Sequence, residues 1–342
     1  MKRRISLLLV ALLILAAFTG CSGSNESAAP ESKEPAEVIS ISIGHVNAPT
    51  EPIALACEYW AEKLEEISGG TMVMECYPSS QLGSMTDVYD MALANDAVIA
   101  YGHNGYLADL GATDLNAMYA PYLFKSWDDF EKIMDSDWMA EQKDIVENEI
   151  GLILVSDGWH YGVRHTLTKD PVNSLEDLKG MKIRTPTSTA QVVGYSLLGA
   201  TPTPMNLSEC YTALQQGTID GLENPADVIY SGNFQEVGKY LALTGHFYND
   251  ANWAVGKGFF DSLTAEQQGW LLESGEMATE YFNELAEKTA EEAIEKMKDE
   301  GVTVTEIDLG DSEALTAAYY ETDEFSNLTD GIYETMKEII NG

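Results

Sequence analysis

The order of strand-like and helix-like segments between residues 38 and 102 constrains the fold of this chain more than any other feature of the sequence. Runs rich in β-branched residues alternate with stretches that carry apolar residues at helical spacing, and Pro52 suits the first turn of a helix. This β-α-β-α-β order predicts a parallel sheet with helical crossovers. The strands are predicted at 38–46, 71–78 and 97–102, and the helices at 51–70 and 84–96.

The same α/β alternation continues through the rest of the chain. Strands are predicted at 151–157, 161–168 and 181–186 with a strand pair within 240–257, and helices at 126–150 (two), 173–180, 188–199 and 208–221. The longest predicted helix covers 264–301 and would span roughly 50 Å, enough to brace two domains. Its predicted core stripe consists of Trp270, Met277, Tyr281, Leu285, Ala293 and Met297.

The amino terminus has the pattern of an export signal. A basic start is followed by an apolar run too short to span a membrane, and small residues then lead directly to Cys21. We predict a lipoprotein signal peptide at 1–20, a lipid on Cys21, and a flexible tether over 21–37, which is rich in Ser, Ala, Pro and Glu. The alternative is an ordinary secretory signal with a coincidental cysteine.

Charge and motifs exclude several function classes. The chain carries 56 acidic and 19 basic side chains, for a net charge of −37, which disfavours nucleic acid and anionic lipid as partners of the folded body. Nucleophile-elbow, phosphate-loop, dinucleotide and zinc-protease motifs are missing from the sequence, so we expect no cofactor. His45 and His103 follow predicted strands, where polar lining of a cleft is favoured over a metal site. Cys57, Cys76 and Cys210 are interpreted as buried free thiols, and the alternative is a Cys57–Cys76 bridge.

Arginine use is unusual in this chain. Only Arg164 and Arg184 lie beyond the predicted signal peptide, against fourteen lysines. A guanidinium presents a planar fork of donors that matches a carboxylate, whereas an ammonium is a point charge. We therefore predict that at least one of the two arginines binds an anionic ligand. The alternative is that each pairs with an internal Asp or Glu.

Three blocks identify a family resemblance: "LKGMKIRTP", "LGATPTPMNLSECYTALQQGTIDGLENP" and "FQEVGKYLALTGH". From Val38 to about residue 300 the chain resembles the DctP-type extracytoplasmic solute-binding proteins of TRAP transporters. The resemblance implies an α/β, two-domain periplasmic-binding-protein-like fold with a ligand cleft between the domains and a long helix bracing both. The implied domains are 38–161 plus about 250–289, and 162–249 plus about 290–342.

The resemblance also implies ligand-binding residues. Arg184 matches the arginine that typically pairs with the ligand carboxylate, and Arg164 matches a second arginine. Leu207 stands where an aromatic residue is frequent, and the absence of an acidic residue at 102–104 argues against sialic acid as the ligand. The other residues expected at the site are Asn224, Thr187, His103, Asn104, Asn47, His246 and Trp159.

The function implied is that of a binding protein and not of an enzyme. Such a receptor closes its domains on a small organic acid and delivers it to an ion-coupled TRAP permease outside the cytoplasm, here with a lipid anchor. Two alternatives remain open: a binding protein for an ABC importer or sensor kinase, and an extracellular enzyme acting on an acidic substrate through His45 and His103.

Overall fold

The computed structural model of this protein describes residues 38–342. The predicted signal peptide, the lipid site at Cys21 and the tether lie outside the described residues. Among residues 38–342 the three cysteines, Cys57, Cys76 and Cys210, are free, and the first and last of these are buried. The prediction of free thiols is therefore confirmed.

The first sheet has the predicted parallel order. Strand β1 lies between β2 and β3 and runs parallel to both, with Ile43 opposite Cys76 on one side and Ile99 on the other. Pro52 occupies the first turn of helix α1, and Ser84 and Asp87 form a capping box at the start of α2. The elements are β1 (Ile39–Gly44), α1 (Pro52–Ile67), β2 (Met72–Tyr77), α2 (Met85–Leu93) and β3 (Val98–Gly102).

The middle of the chain differs from the prediction in several places. Helices at Asn104–Leu110 and Ala226–Ser231 and a strand at Thr201–Pro204 lie where the sequence predicted no element. The strands predicted at 151–157 and 161–168 form one continuous strand of 17 residues, β4, with irregular pairing between Leu154 and Gly162. These bulges absorb the residues that interrupt the strand pattern. The elements of this region are α3 (Asn104–Leu110), α4 (Trp127–Met134), α5 (Asp137–Ile145), β4 (Leu152–Thr168), β5 (Lys182–Thr185), α6 (Thr189–Leu197), β6 (Thr201–Pro204), α7 (Leu207–Gln216), β7 (Gly221–Pro225) and α8 (Ala226–Ser231).

Strand β4 belongs to two groups of strands. Its first part pairs with β9 (Tyr248–Gly256), which in turn pairs with β3, and its last part pairs with β7 and with β8 (Tyr240–Ala242). The strand order is β2-β1-β3-β9-β4-β7-β5-β6. The two strands predicted within 240–257 are present but do not pair with each other, because each pairs with a different stretch of β4.

The long helix is confirmed, but its predicted core stripe is only partly right. After α9 (Lys257–Ser262), helix α10 (Ala265–Asp299) begins with a capping box of Thr264 and Gln267. Ala293 and Met297 are buried as predicted, whereas Tyr281 is 36% exposed. Nearer the start, the buried residues are Leu271, Ser274, Gly275, Ala278, Phe282 and Ala286. Small residues face β4 because the helix approaches this strand closely. A Cβ at Gly275 would collide with the carbonyl oxygen of Val155 in β4.

Helix α10 joins two hydrophobic clusters. Phe282 packs in a cluster with Trp60, Trp159 and Trp253, and Met297 packs in another with Leu214 and Leu241. The predicted α/β fold with a bracing helix is therefore confirmed.

The chain ends with β10 (Thr303–Thr305), α11 (Ser312–Tyr320) and α12 (Ile332–Asn341). Tyr319 and Tyr320 of α11 donate hydrogen bonds to the carbonyl oxygens of Asn116 and Ala117, at 2.8 and 2.7 Å. These helices thus pack on a segment that we assigned to the other domain. The residue boundaries of the two domains stay a prediction.

Candidate functional site

A partly open cavity lies where several strands of both groups end. Among residues 38–342, no aspartate or glutamate lines this cavity, although the chain carries 56 acidic residues. The lining consists of Val46, Met85, Thr86, Tyr101, His103, Tyr161, Arg164, Arg184, Pro186, Thr187, Gln191, Met205, Asn206, Leu207, Asn224 and Asn249.

The structure brings together part of the predicted site. Six of the ten predicted ligand-binding residues line the cavity, namely Arg184, Arg164, Asn224, Thr187, Leu207 and His103. The other four, Asn104, Asn47, His246 and Trp159, are buried behind its walls. The predicted residues are thus centred on one cavity, and those outside its lining are buried in the protein.

Arg184 lies on β5 and is only 4% exposed. Its Nε and Nη2 atoms both donate to the carbonyl oxygen of Met205, at 3.0 and 2.9 Å, which fixes the plane of the guanidinium. Within the described part of the chain, no carboxylate oxygen lies within 4.0 Å of it. Burial lowers its pKa from the ordinary value. A buried cation without a carboxylate partner is costly, so this guanidinium favours an anion in the cavity.

Arg164 has a different environment, because it pairs with Glu223. Its Nη2 donates to Glu223 Oε1 at 2.7 Å and to the Glu223 carbonyl oxygen at 2.9 Å, and its Nε donates to Oε2. Both side chains are almost fully buried. The internal pairing that the sequence left open is therefore present for Arg164, which nevertheless still borders the cavity.

Glu223 is held ionised by its partners. Burial alone would raise its pKa, but the charge and hydrogen bonds of Arg164, together with His246, bring the pKa down to about 2. His246 lies with Nε2 at 3.1 Å from Glu223 Oε2 and Nδ1 at 2.8 Å from Thr244 Oγ1. His246 therefore supports the Arg164–Glu223 pair from behind the cavity.

Asn47 supports Tyr161 rather than the cavity itself. Its Nδ2 donates to Glu51 Oε2 at 2.5 Å and lies 2.7 Å from the Tyr161 hydroxyl, which borders the cavity. Glu51 also accepts a hydrogen bond from the backbone N–H of Ala48 at 2.9 Å. Burial raises the pKa of Glu51 to about 7. This carboxyl group is therefore largely protonated under mildly acidic conditions.

Trp159 and Asn104 are core residues. Trp159 is fully buried, stacks on Phe282 at a ring-centroid distance of 4.7 Å, and donates from Nε1 to Ser156 Oγ at 2.7 Å. The backbone N–H of Asn104 donates a hydrogen bond to Asp250 Oδ2 at 2.9 Å. A stacking role for Trp159 on a ligand has no support from this placement.

His103 presents one ring edge to the protein and borders the cavity. It is 4% exposed and follows β3, where it forms the N-cap of α3. Its Nδ1 accepts a hydrogen bond from the backbone N–H of Tyr106 at 3.2 Å. Burial lowers the pKa of His103 to about 3. The ring is therefore neutral at physiological pH.

Sequence reasoning missed six polar residues of the lining: Thr86, Tyr101, Tyr161, Gln191, Asn206 and Asn249. The sequence did contain a signal for Gln191, because it is the one amide among the apolar or small residues of α6. In the structure Gln191 is 1% exposed. Tyr101 lies near the end of β3, next to the edge where open α/β sheets bind ligands.

The metal and enzyme readings gain no geometric support within residues 38–342. No group of three or more His, Cys, Asp or Glu side chains there is arranged to hold a metal ion. His45 is buried against Trp253 and does not line the cavity that His103 borders.

None of the helices within residues 38–342 is long and apolar enough to cross a bilayer.

Known structures share this fold over nearly the whole chain. A TRAP periplasmic solute-binding protein from Actinobacillus succinogenes 130Z, with bound L-galactonate, is 36% identical with a TM-score of 0.84, over 88% of this chain and 99% of that one. A second, from "Ochrobacterium anthropi" with bound L-fuconate, is 36% identical with a TM-score of 0.85, over 89% of this chain and 100% of the other.

Sequence comparisons agree. The sialic acid-binding periplasmic protein SiaP of Vibrio cholerae is 31% identical over 264 residues, which are 77% of this chain and 82% of SiaP. The family model described as bacterial extracellular solute-binding protein, family 7 (DctP), matches residues 43–325. The chain therefore belongs to family 7 of the bacterial extracellular solute-binding proteins.

Proposed function

We propose that this protein is an extracytoplasmic receptor for a small hydroxylated organic acid, which it passes to a TRAP-type permease. The observation that carries the proposal is Arg184, a buried guanidinium fixed by a backbone carbonyl and without a carboxylate partner within the described residues. A ligand carboxylate would supply the missing anion through charge-assisted hydrogen bonds.

The rest of the lining favours a ligand with several hydroxyl groups. Apart from the two arginines, its polar side chains are neutral, and they include Tyr101, Tyr161, Gln191 and Asn224. Amides and phenols exchange hydrogen bonds with hydroxyl groups without a charge mismatch. The relatives bound to L-galactonate and L-fuconate support a six-carbon sugar acid.

Binding would proceed by closure of a cleft. The cavity is lined by Val46, Tyr101 and His103 from the first group of strands and by Arg184 and Asn224 from the second. A ligand that contacts both groups stabilises the closed form by its differential affinity for that form. The closed form would be the one that the permease recognises, and no covalent step or cofactor is required.

The location follows from the amino-terminal prediction. Export by the signal peptide, a lipid on Cys21 and the tether 21–37 would hold the folded body outside the cytoplasmic membrane. This arrangement keeps the receptor close to a permease in the same membrane. Mass spectrometry of the protein from membranes would test the lipid, and a mature chain that begins elsewhere than at Cys21 would contradict it.

The ligand class is tested by titration calorimetry on residues 38–342 after unfolding and refolding to remove carried-over ligand. The compounds are sugar acids, C4-dicarboxylates, keto acids and aromatic acids, each beside its neutral amide. We expect binding of a sugar acid and none of its amide. Binding of neutral compounds alone would contradict the role of Arg184, and binding of a dicarboxylate alone would contradict the hydroxylated ligand.

A further inference from the structure

The hydrogen bond at the start of α3 determines which ring nitrogen of His103 carries the proton. The backbone N–H of Tyr106 donates to Nδ1 at 3.2 Å, and a backbone N–H can only donate. Nδ1 is therefore an acceptor without a hydrogen. In a neutral imidazole the proton must then be on Nε2. This Nε2 is buried, has no partner within the described residues, and belongs to a residue that lines the cavity.

Tyr119 lies on the same side of the ring and does not change this assignment. Its hydroxyl oxygen is 3.2 Å from His103 Nδ1, and its proton is directed to Asp250 Oδ1. Whether the hydroxyl proton points to Asp250 or to the ring, Nδ1 needs no proton of its own. The Tyr106 N–H cannot rotate away, so it decides the tautomer.

A second chain of hydrogen bonds determines the orientation of the Gln191 amide. Asn249 donates from Nδ2 to the carbonyl oxygen of Asp250 at 2.8 Å, which leaves its Oδ1 as an acceptor. Gln191 donates from Nε2 to this Oδ1 at 2.7 Å. The Oε1 of Gln191 is therefore turned away from Asn249, and it is buried without a partner in the described structure. It is an unpaired acceptor of a residue that lines the cavity.

His103 precedes α3 and Gln191 lies in α6, and these two helices contact each other. The side chain of Asp109 in α3 accepts a hydrogen bond from the backbone N–H of Thr189 in α6, at 3.1 Å. The residues that begin the two helices, His103 and Ser188, are close together. A Cβ placed on Gly105 would lie 3.3 Å from His103 Nδ1 and 2.8 Å from Ser188 Oγ. Gln191 is one turn along α6 from Ser188, and both His103 and Gln191 line the cavity.

We propose that His103 Nε2–H and Gln191 Oε1 form a fixed donor–acceptor pair that binds one hydroxyl group of the ligand. This inference rests on the proposed function and assigns specificity to two residues of that site. A hydroxyl group accepts and donates at once, so it satisfies both atoms. A carboxylate or a keto oxygen has no hydrogen for Gln191 Oε1, and a methylene group leaves both atoms unpaired.

The tautomer can be measured without a ligand. In ¹⁵N-labelled protein, two-bond ¹H–¹⁵N correlations report which nitrogen of each imidazole carries the proton. We expect His103 to carry its proton on Nε2 at pH 7. A proton on Nδ1 would make Nε2 an acceptor and would overturn the pair as proposed.

The pair is tested with L-galactonate and its series of mono-deoxy analogues, each lacking one hydroxyl group. With the wild-type protein, we expect one analogue to lose about 10- to 100-fold in affinity because it leaves both buried atoms unpaired. In His103→Asn, the new side chain still caps α3 but does not reach the Nε2 position. In this variant, the affinity for L-galactonate should fall by a similar factor. The affinity for the sensitive analogue should fall little below its value with the wild-type protein.

Two variants serve as controls. In His103→Gln, the amide nitrogen takes the position of Nε2, so the discrimination against the sensitive analogue should persist. In His45→Asn, the same substitution is made at a buried histidine outside the cavity, and the affinities of the whole series should not change. Thermal unfolding of each variant, compared with wild type, confirms that a loss of binding is not a loss of folding.

The outcomes separate this inference from the proposed function. If His103→Asn keeps the full wild-type discrimination against the analogue, the pair is overturned while the receptor function stands. If wild type binds carboxylates but not L-galactonate, the pair is again overturned and the ligand class changes. If wild type binds no acid at all, both fail.

Discussion

Arg164 and Glu223 form a buried ion pair across neighbouring strands, with Arg164 Nη2 at 2.7 Å from Glu223 Oε1. This pair distinguishes two arginines that the sequence presents as equivalent. Arg164 is neutralised inside the protein, whereas Arg184 is held by a carbonyl oxygen and, in the described structure, lacks a carboxylate partner. The two positions should therefore respond differently to substitution.

Substitution of Arg184 should affect binding most. In Arg184→Lys the charge remains but the planar fork is lost, so we expect the affinity for the acid ligand to fall more than tenfold. Titration calorimetry measures the change. Lys182→Gln removes an exposed cation two residues away on the same strand and should leave the affinity unchanged. Equal affinities of wild type and Arg184→Lys would refute the carboxylate clamp.

Substitution of Glu223 should affect stability most. Glu223→Gln keeps the size of the side chain but leaves the buried Arg164 guanidinium without its counter-charge, which should cost about 3–5 kcal/mol in the free energy of unfolding. Urea denaturation at pH 7 provides the measurement. Glu176→Gln, at an exposed position, is the control and should change little. A loss below about 1 kcal/mol would mean that the pair is not what holds these strands together.

Glu51 should make stability depend on pH. Burial raises its pKa from 4.5 to about 7, so its contribution to stability is complete below pH 4.5 and is lost as pH rises through about 7. In Glu51→Gln the unfolding free energy should fall less steeply between these values than in wild type. Asp227 and Asp250, whose pKa values burial also raises, should keep part of the slope.

The control for this pH dependence is Glu62→Gln, at an exposed position of α1, the helix that Glu51 directly precedes. It should retain the wild-type slope. Urea unfolding at intervals from pH 4.5 to 8 gives both curves. Parallel curves for wild type and Glu51→Gln would show that Glu51 ionises as easily in the folded protein as in the unfolded chain.

Gly275 should be essential to the packing of α10. In Gly275→Ala the new methyl group collides with the Val155 carbonyl and meets the Trp60 ring at 3.0 Å, so we expect a loss of about 1–3 kcal/mol. Gly269→Ala is a matched control on the same helix, where nothing lies within 4 Å of the new Cβ. It should stabilise by about 0.5–1 kcal/mol. Equal effects in urea denaturation would contradict the close approach of α10 to β4.

Trp159 should matter for folding and not for the ligand. Trp159→Phe shortens a fully buried side chain and removes the hydrogen bond to Ser156, so the unfolding free energy should fall by about 1–3 kcal/mol. The affinity for the acid should stay at the wild-type value, because Trp159 is outside the cavity lining. A large loss of affinity in a variant that still folds would place Trp159 in contact with the ligand.

The sequence predicts the elements well because their signals are local. The β-α-β-α-β order and the length of α10 follow from patterns within a few turns of chain. The buried face of α10 is less well predicted. Trp270 and Tyr281 are more hydrophobic than Gly275 and Ala278, yet the smaller residues face β4 because they permit the closer approach.

The sequence by itself determined the element order, the long helix and the short set of polar residues from which a site could be built. Only the tertiary structure decided their roles, because the deciding partners are distant in the chain. Glu223 lies 59 residues from Arg164, and Asn249 lies 58 residues from Gln191. A side chain's charge or donor is available to a ligand only if no such distant partner has already taken it, and that depends on packing and not on local sequence.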